Sequence, residues 1–313
     1  MFKFAAALLA ALVMALGLYT PSQARGPVQS SYVLPGEAVF PEGIAYQQRT
    51  GQFYVSSTTD GTIFRGELDE PVASVFLPGG QDGRTLAAGL KVDDQGRLFI
   101  ATGPLGKVYI YDTATGALIA ALSNGLPSNA TFVNDIAIAK DGTAYATDSV
   151  SPYLYRITEN AAGQFELERF IDFTGTALQY QPGFNVNGIA ASQNGKYLIV
   201  VQSNTGRLFR IEIATREVTP IDLGGATVTA GDGILLRGRS LYVVRNSLAL
   251  ITNVQLTGDL SSGTIVSETT DPSFIFPTTI AQARGRLLVV NSQFNNRGRT
   301  PVLPFTVSTI KTP

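Results

Sequence analysis

The sequence predicts an all-β fold, a six-bladed β-propeller, and three observations carry that prediction. Six segments repeat one pattern at nearly constant spacing. No helical period of useful length follows the N-terminal region. The stretch just before the first repeat copies the strand that ends a repeat.

The repeat opens on Glu42-Gly43-Ile44, Ala88-Gly89-Leu90, Asn134-Asp135-Ile136, Asn187-Gly188-Ile189, Asp232-Gly233-Ile234 and Thr278-Thr279-Ile280, with first residues 46, 46, 53, 45 and 46 positions apart. Each opening leads an apolar strand, a glycine-bearing turn such as Asp141-Gly142 or Asn194-Gly195, and a second apolar strand. A third strand follows, as in Gly106 to Tyr111 or Gly206 to Ile211, and a fourth, as in Ala73 to Leu77, completes the unit. These are hairpin signals with matching turn chemistry. Four short strands per ~45 residues make a propeller blade, and six copies close a ring. Ser31 to Gly36 resembles Ser74 to Gly79, so the N-terminal segment is expected as the outer strand of the last blade. That would cover an otherwise open edge and make residues 25–313 one domain.

Composition narrows the chemistry. The 313 residues carry a formal net charge of −1 with Lys and Arg scattered, which points away from nucleic acid. With no Cys and no His, thiolate or imidazole metal sites, disulfides and a Ser-His-Asp triad are excluded. Polar chemistry is left to carboxylates, amides, hydroxyls, Lys, Arg, Tyr or a bound ion. At the start, Lys3 precedes an apolar run from Phe4 to about Leu18, and Ser22-Gln23-Ala24 offers small residues at a cleavage site. Residues 1–24 therefore read as a signal peptide, its apolar run being shorter than the ~20 residues a spanning helix needs. The mature chain is expected to be periplasmic or extracellular, with no membrane attachment.

In a propeller the innermost strand of each blade begins beside the central channel. The six opening residues should therefore form a ring: Glu42, Ala88, Asn134, Asn187, Asp232 and Thr278. Four of these bear carboxylate or amide oxygens at a β position, where Asn and Asp are depleted. Taken singly, Asn or Asp before Gly reads as a turn former. Taken together, two carboxylates and two amides make an oxygen set for a divalent cation, Ca²⁺ before Mg²⁺, because Mg²⁺ keeps tight octahedral geometry and few protein ligands.

The openings Pro41-Glu42-Gly43, Asn134-Asp135, Val186-Asn187-Gly188 and Gly231-Asp232-Gly233 resemble those of the regucalcin/gluconolactonase family. That family is related to the diisopropylfluorophosphatase and paraoxonase-type propellers. The resemblance spans essentially the whole mature chain and implies one catalytic divalent ion, usually calcium, held by Glu42, Asn134, Asn187 and Asp232. By the same match Asp135 would lie beneath the ion; read alone, it is a turn acid. The paraoxonase histidine pair has no counterpart here, and no sugar-recognising arginine pattern is evident. The implied activity is hydrolysis of lactones or related esters, small molecules polarised at a carbonyl by the ion. Asp232 would be either the base that activates water or the nucleophile itself.

Specificity is expected in loops entering the same face. Thr174 to Asn185 accounts for the one longer spacing and contains Tyr180 and Phe184; it would be a pocket wall or a surface decoration. Asp148 reads as a strand-end hydrogen bonder, and Phe53, Tyr54, Phe99, Tyr109, Tyr145 and Tyr197 as inter-blade packing. The reading from another functional class is a non-catalytic propeller that binds a ligand or a protein around a structural calcium. A lyase or synthase on the same scaffold is a third.

Overall fold

The computed structural model describes residues 27–313, so the signal-peptide region lies outside the described residues. Six four-stranded antiparallel sheets are arranged as a six-bladed β-propeller. The inner strands, blades 1 to 6, are Pro41–Gln47, Leu90–Val92, Val133–Ile138, Val186–Ala191, Gly231–Arg237 and Pro277–Ala283. Within each blade the chain steps outward strand by strand through short turns. Among the described residues the helical segments are three single 3₁₀ turns, and no helix is long and apolar enough to cross a membrane.

Blade 6 is built from both ends of the described chain. Ser31–Leu34 pairs antiparallel with Phe305–Lys311, in the register Ser31 with Ser308 through Leu34 with Phe305. The expected closure is therefore present. Tyr32 and Leu34 are fully buried, Tyr32 packs on Phe53 of blade 1 at 4.7 Å between ring centroids, and its hydroxyl donates to Leu68 O at 2.9 Å. The N-terminal strand thus completes blade 6 and grips blade 1 at once.

The core is divided into six apolar clusters, one between each pair of neighbouring blades. Tyr54 of blade 1 shares its cluster with Tyr109 and Tyr111 of blade 2; Phe99 of blade 2 packs with Ile136 and Tyr155 of blade 3; Tyr145 of blade 3 packs with Leu198 and Phe209 of blade 4. The aromatic strand positions therefore do hold blades together. Tyr197 is the least buried of them, with the Arg210 guanidinium 4.8 Å over its ring.

Backbone of neighbouring blades meets closely at the axis. A Cβ on Gly43 would stand 2.5 Å from Ala88 O, and one on Gly188 would stand 2.2 Å from Asp232 O. These glycines lie in or beside extended inner strands, so they serve close backbone approach between blades rather than a turn. Asn187, which read singly is a turn former before Gly188, lies inside an extended strand instead. In five blades a β-bulge falls at this point, for example between Val133 and Ile136 and between Val186 and Ile189. A bulge re-aims the side chain it carries, here that of each opening residue in those blades.

Replacing Tyr32 with Ala should destabilise the fold by roughly 3–5 kcal/mol, as for other buried aromatic truncations. Val75→Ala, on an exposed outer strand, should stay within about 0.5 kcal/mol. Urea unfolding of the two variants checks this; equal and small effects would contradict a load at the closing strand.

Candidate metal centre and substrate cavity

Glu42, Asn134, Asn187 and Asp232 come from blades 1, 3, 4 and 5 and all line one cavity of about 470 Å³ over the end of the channel. Each is buried, between 4% and 7% exposed. Ala88 and Thr278 complete the ring without entering the cavity wall.

Hydroxyls from the preceding blade pin the backbone at the openings of blades 1, 4 and 5. Thr278 Oγ1 donates to Glu42 O at 2.8 Å, Thr147 Oγ1 to Asn187 O at 2.7 Å, and Ser203 Oγ to Gly231 O at 2.5 Å. Ser149 Oγ donates to Val186 O at 2.7 Å and accepts from Asn134 Nδ2 at 2.8 Å. The Asn134 amide is thereby oriented, with its oxygen as the free end. Asn246 Nδ2 donates to Asp232 Oδ2 at 2.8 Å.

Among the described residues that line the cavity, two carry a buried oxygen with no partner in the protein: Glu42 Oε2 and Asn187 Oδ1. An unmet buried acceptor costs about 1–3 kcal/mol, more when charged, so an orphan pair on one cavity needs something cationic or a donor between them. The charge balance says the same. Burial, followed by repulsion from Asp232 and Asp135, pushes the Glu42 carboxyl well above its ordinary value. Burial pushes Asp232 up to about 7, opposed by the Asn246 hydrogen bond and reinforced by Asp135. Asp135, also raised by burial, accepts from Ile136 N at 2.8 Å and from Ile189 N of the next blade at 3.3 Å. Lys91 is the cation that offsets Glu42 and Asp135. When all are ionised, three carboxylates and one ammonium leave a formal two minus, which one divalent cation cancels. A donor set of two carboxylates and two amides, with room for solvent or substrate oxygen, suits the oxygen-rich coordination of calcium. Among the described residues no group of three or more His, Cys, Asp and Glu is placed to hold a metal, so any ion here depends on the two amides.

Asp135 is buried against the ring and does not line the cavity. Its carboxylate fills space that Gly89 leaves, since a Cβ on Gly89 would be 2.5 Å from Asp135 Oδ1. The loop from 174 to 185 divides. Phe184 is in the cavity wall, edge-on to Phe132 at 4.9 Å, whereas Tyr180 is not. Tyr180 instead stacks on Phe173 and donates its hydroxyl to Asp148 O, so its work is to anchor the loop. Asn185 holds the tip, donating to Gln181 O at 2.8 Å and Gly183 O at 2.9 Å. Asp148 is the strand-end hydrogen bonder expected: its Oδ1 accepts from Phe132 N, Val150 N and Ser151 N at 2.8–3.0 Å.

Several site residues were not singled out from sequence: Lys91, Asn246, Thr58, Ser203, Phe276, Phe294 and Arg297. One signal was available for part of them. Thr58, Ser149, Ser203, Asn246 and Ser292 recur 14–16 residues after the opening residue, at the end of the second strand, as a second polar register.

No protein-family model matches the sequence, and no curated protein matches it. Solved structures do resemble it. The major allergen Mala s 1 of Malassezia sympodialis superposes with a TM-score of 0.67 at 15% identity, over 90% of this chain and 96% of that one. A calcium-binding protein, regucalcin, from Agrobacterium tumefaciens str. C58 superposes at 0.64 with 18% identity, over 93% and 97% of the two chains. A luciferin-regenerating enzyme superposes at 0.62 with 12% identity, over 91% and 94%. At these identities the likeness is one of fold.

The raised carboxyls fix a sign for stability against pH. The native state keeps protons that the unfolded chain has already released, so stability present at low pH is lost as pH rises from about 4 through about 7. The chelator-treated protein should therefore show a thermal midpoint that falls across this window. Saturating calcium should flatten the fall; a midpoint that rises with pH, or is indifferent to calcium, would contradict the charge balance described above.

Proposed function

We propose that this chain is an exported hydrolase of lactones or related esters that works with a divalent cation, calcium by its oxygen donors, held by Glu42, Asn134, Asn187 and Asp232. The observation that carries the reading is the pair of orphaned buried oxygens, Glu42 Oε2 and Asn187 Oδ1, on a cavity whose wall also carries four phenylalanines. The description of the Agrobacterium regucalcin as calcium-binding favours the choice of ion. The signal-peptide reading of residues 1–24 supports export.

A bound divalent cation would supply Lewis acidity toward a carbonyl oxygen and stabilise the negative charge that develops on it. The protein's own residues do the rest. Phe132, Phe184 and Phe276 give the substrate an apolar wall and keep bulk water from the reacting carbon. Asn246 Nδ2 donates to Asp232 Oδ2 and orients the carboxylate, which would accept a proton from the attacking water. The oxygen of that water bonds to the carbonyl carbon, the ring or ester C–O bond breaks, and the proton passes to the departing alkoxide, giving a hydroxy acid or an acid and an alcohol. Asn246 fixes the orientation of Asp232 during this exchange.

A hydrolysis panel of sugar lactones, aryl esters and phosphotriesters tests the reading. Turnover of a lactone or ester should be lost with chelator and should fall about 10²–10⁴-fold in kcat for Asp232→Asn, the range for a general base. A protein that binds calcium yet turns over nothing in the panel would be a binding module instead.

A further inference from the structure

The cavity has a second pole. Among the described residues that line it, Arg297 is the one cation, and it sits at the exposed rim rather than among the carboxylates at the foot. No carboxylate lies within ion-pair distance of it: the ion pairs of the described residues join other arginines to Asp93, Glu159, Glu168, Asp259 and Glu268. Its guanidinium is held between two aromatic faces, 5.1 Å from the Phe40 ring and 4.8 Å from the Phe294 ring, and donates to Thr58 Oγ1. Thr58 Oγ1 in turn donates to Phe40 O at 2.5 Å, two residues before Glu42. The rim cation is thus tied by hydrogen bonds to the strand that carries the first donor at the foot.

The loop that presents Arg297 is braced from inside. Gln293, 1% exposed, donates from Nε2 to Val302 O at 2.6 Å and accepts from Val302 N at Oε1 at 2.7 Å, closing the loop across its base. A guanidinium without an anionic partner, fixed by stacking and by a braced loop, can take up an anion at little further entropic cost. Between this rim and the donors at the foot, the walls are chiefly phenylalanine and leucine.

Resting on the reading of this cavity as the substrate site, we infer that its substrate is an acid: an apolar-bodied lactone or ester whose carboxylate, or an equivalent anionic group, pairs with Arg297 at the rim while the reacting carbonyl reaches the foot. A guanidinium offers two parallel N–H donors that match a carboxylate, and its attraction survives best next to an apolar wall. Neutral sugar lactones offer this rim nothing to pair with and this wall little apolar surface to bury.

Binding of 4-phenylbutyrate and of its neutral primary amide to the calcium-loaded full chain, read by calorimetry, tests the inference without needing turnover. The acid should bind at least about ten-fold more tightly than the amide, the scale of one charge-assisted pair. Arg297→Met should remove that preference and leave the amide unchanged, while Arg297→Lys should keep part of it. Phe184→Ala should weaken both probes alike. An unchanged thermal midpoint in the Arg297 variants confirms that the exposed rim alone was altered. The inference is overturned if acid and amide bind equally, if neither binds, or if the preference survives Arg297→Met, the last meaning that the carboxylate goes to the ion. Failure of the hydrolase reading shows separately, as an Arg297-dependent preference for the acid in a chain that hydrolyses nothing.

Discussion

Four residue pairs of one antiparallel ladder, Ser31 with Ser308 through Leu34 with Phe305, join the two ends of the ring. The interface between the last blade and the first depends on them. A blade buries apolar side chains on both faces, against the blade before it and the blade after it, so an open ring would leave two such faces in water. Tyr32 and Phe305 fill the last interface together with Ile44 and Phe53 of the first blade. The seam also matters to the site. Thr278 of blade 6 donates to the carbonyl of Glu42 in blade 1, so the position of the first donor depends on the ring being closed.

Closure brings together what would repel in isolation. The second ring position is glycine in four blades, and backbone from the next blade occupies the space a Cβ would need. That proximity draws Glu42, Asp135 and Asp232 into a small, poorly hydrated volume with Lys91 as the offsetting cation. Burial of like charges at this cost is common where a site is built for a counter-charge. Here the orphaned oxygens of Glu42 and Asn187 mark where the counter-charge would sit, and the hydroxyl clamps from Thr147, Ser203 and Thr278 hold the inner strands there without using those oxygens.

The ring of opening residues was legible in the sequence because each blade repeats one register, so a position in one unit is a position in all. Glu42, Asn134, Asn187 and Asp232 could be set side by side without knowing any contact. Tyr180 and Phe184 could not be separated that way. They share a loop four residues apart, and only the packing of Tyr180 on Phe173 and its bond to Asp148 turn one inward as an anchor and leave the other in the wall. Lys91 was hidden because it lies within an apolar strand in a blade whose opening residue is Ala88. Arg297 was hidden for a different reason. It belongs to the loop between the second and third strands of blade 6, outside the repeated pattern, and its neighbours Phe40 and Thr58 are far away in sequence. Repeats make their own register visible, while loops between strands depend on tertiary contacts that no local pattern encodes.

Calcium calorimetry on the wild type, Glu42→Gln and Asn187→Ala tests the central claim most directly. One ion per chain is expected, with affinity at least about ten-fold weaker in each variant, because Glu42→Gln removes a ligand charge and Asn187→Ala removes a ligand oxygen. An affinity unchanged in both variants, or no calcium binding in the wild type, would contradict a metal centre at this ring.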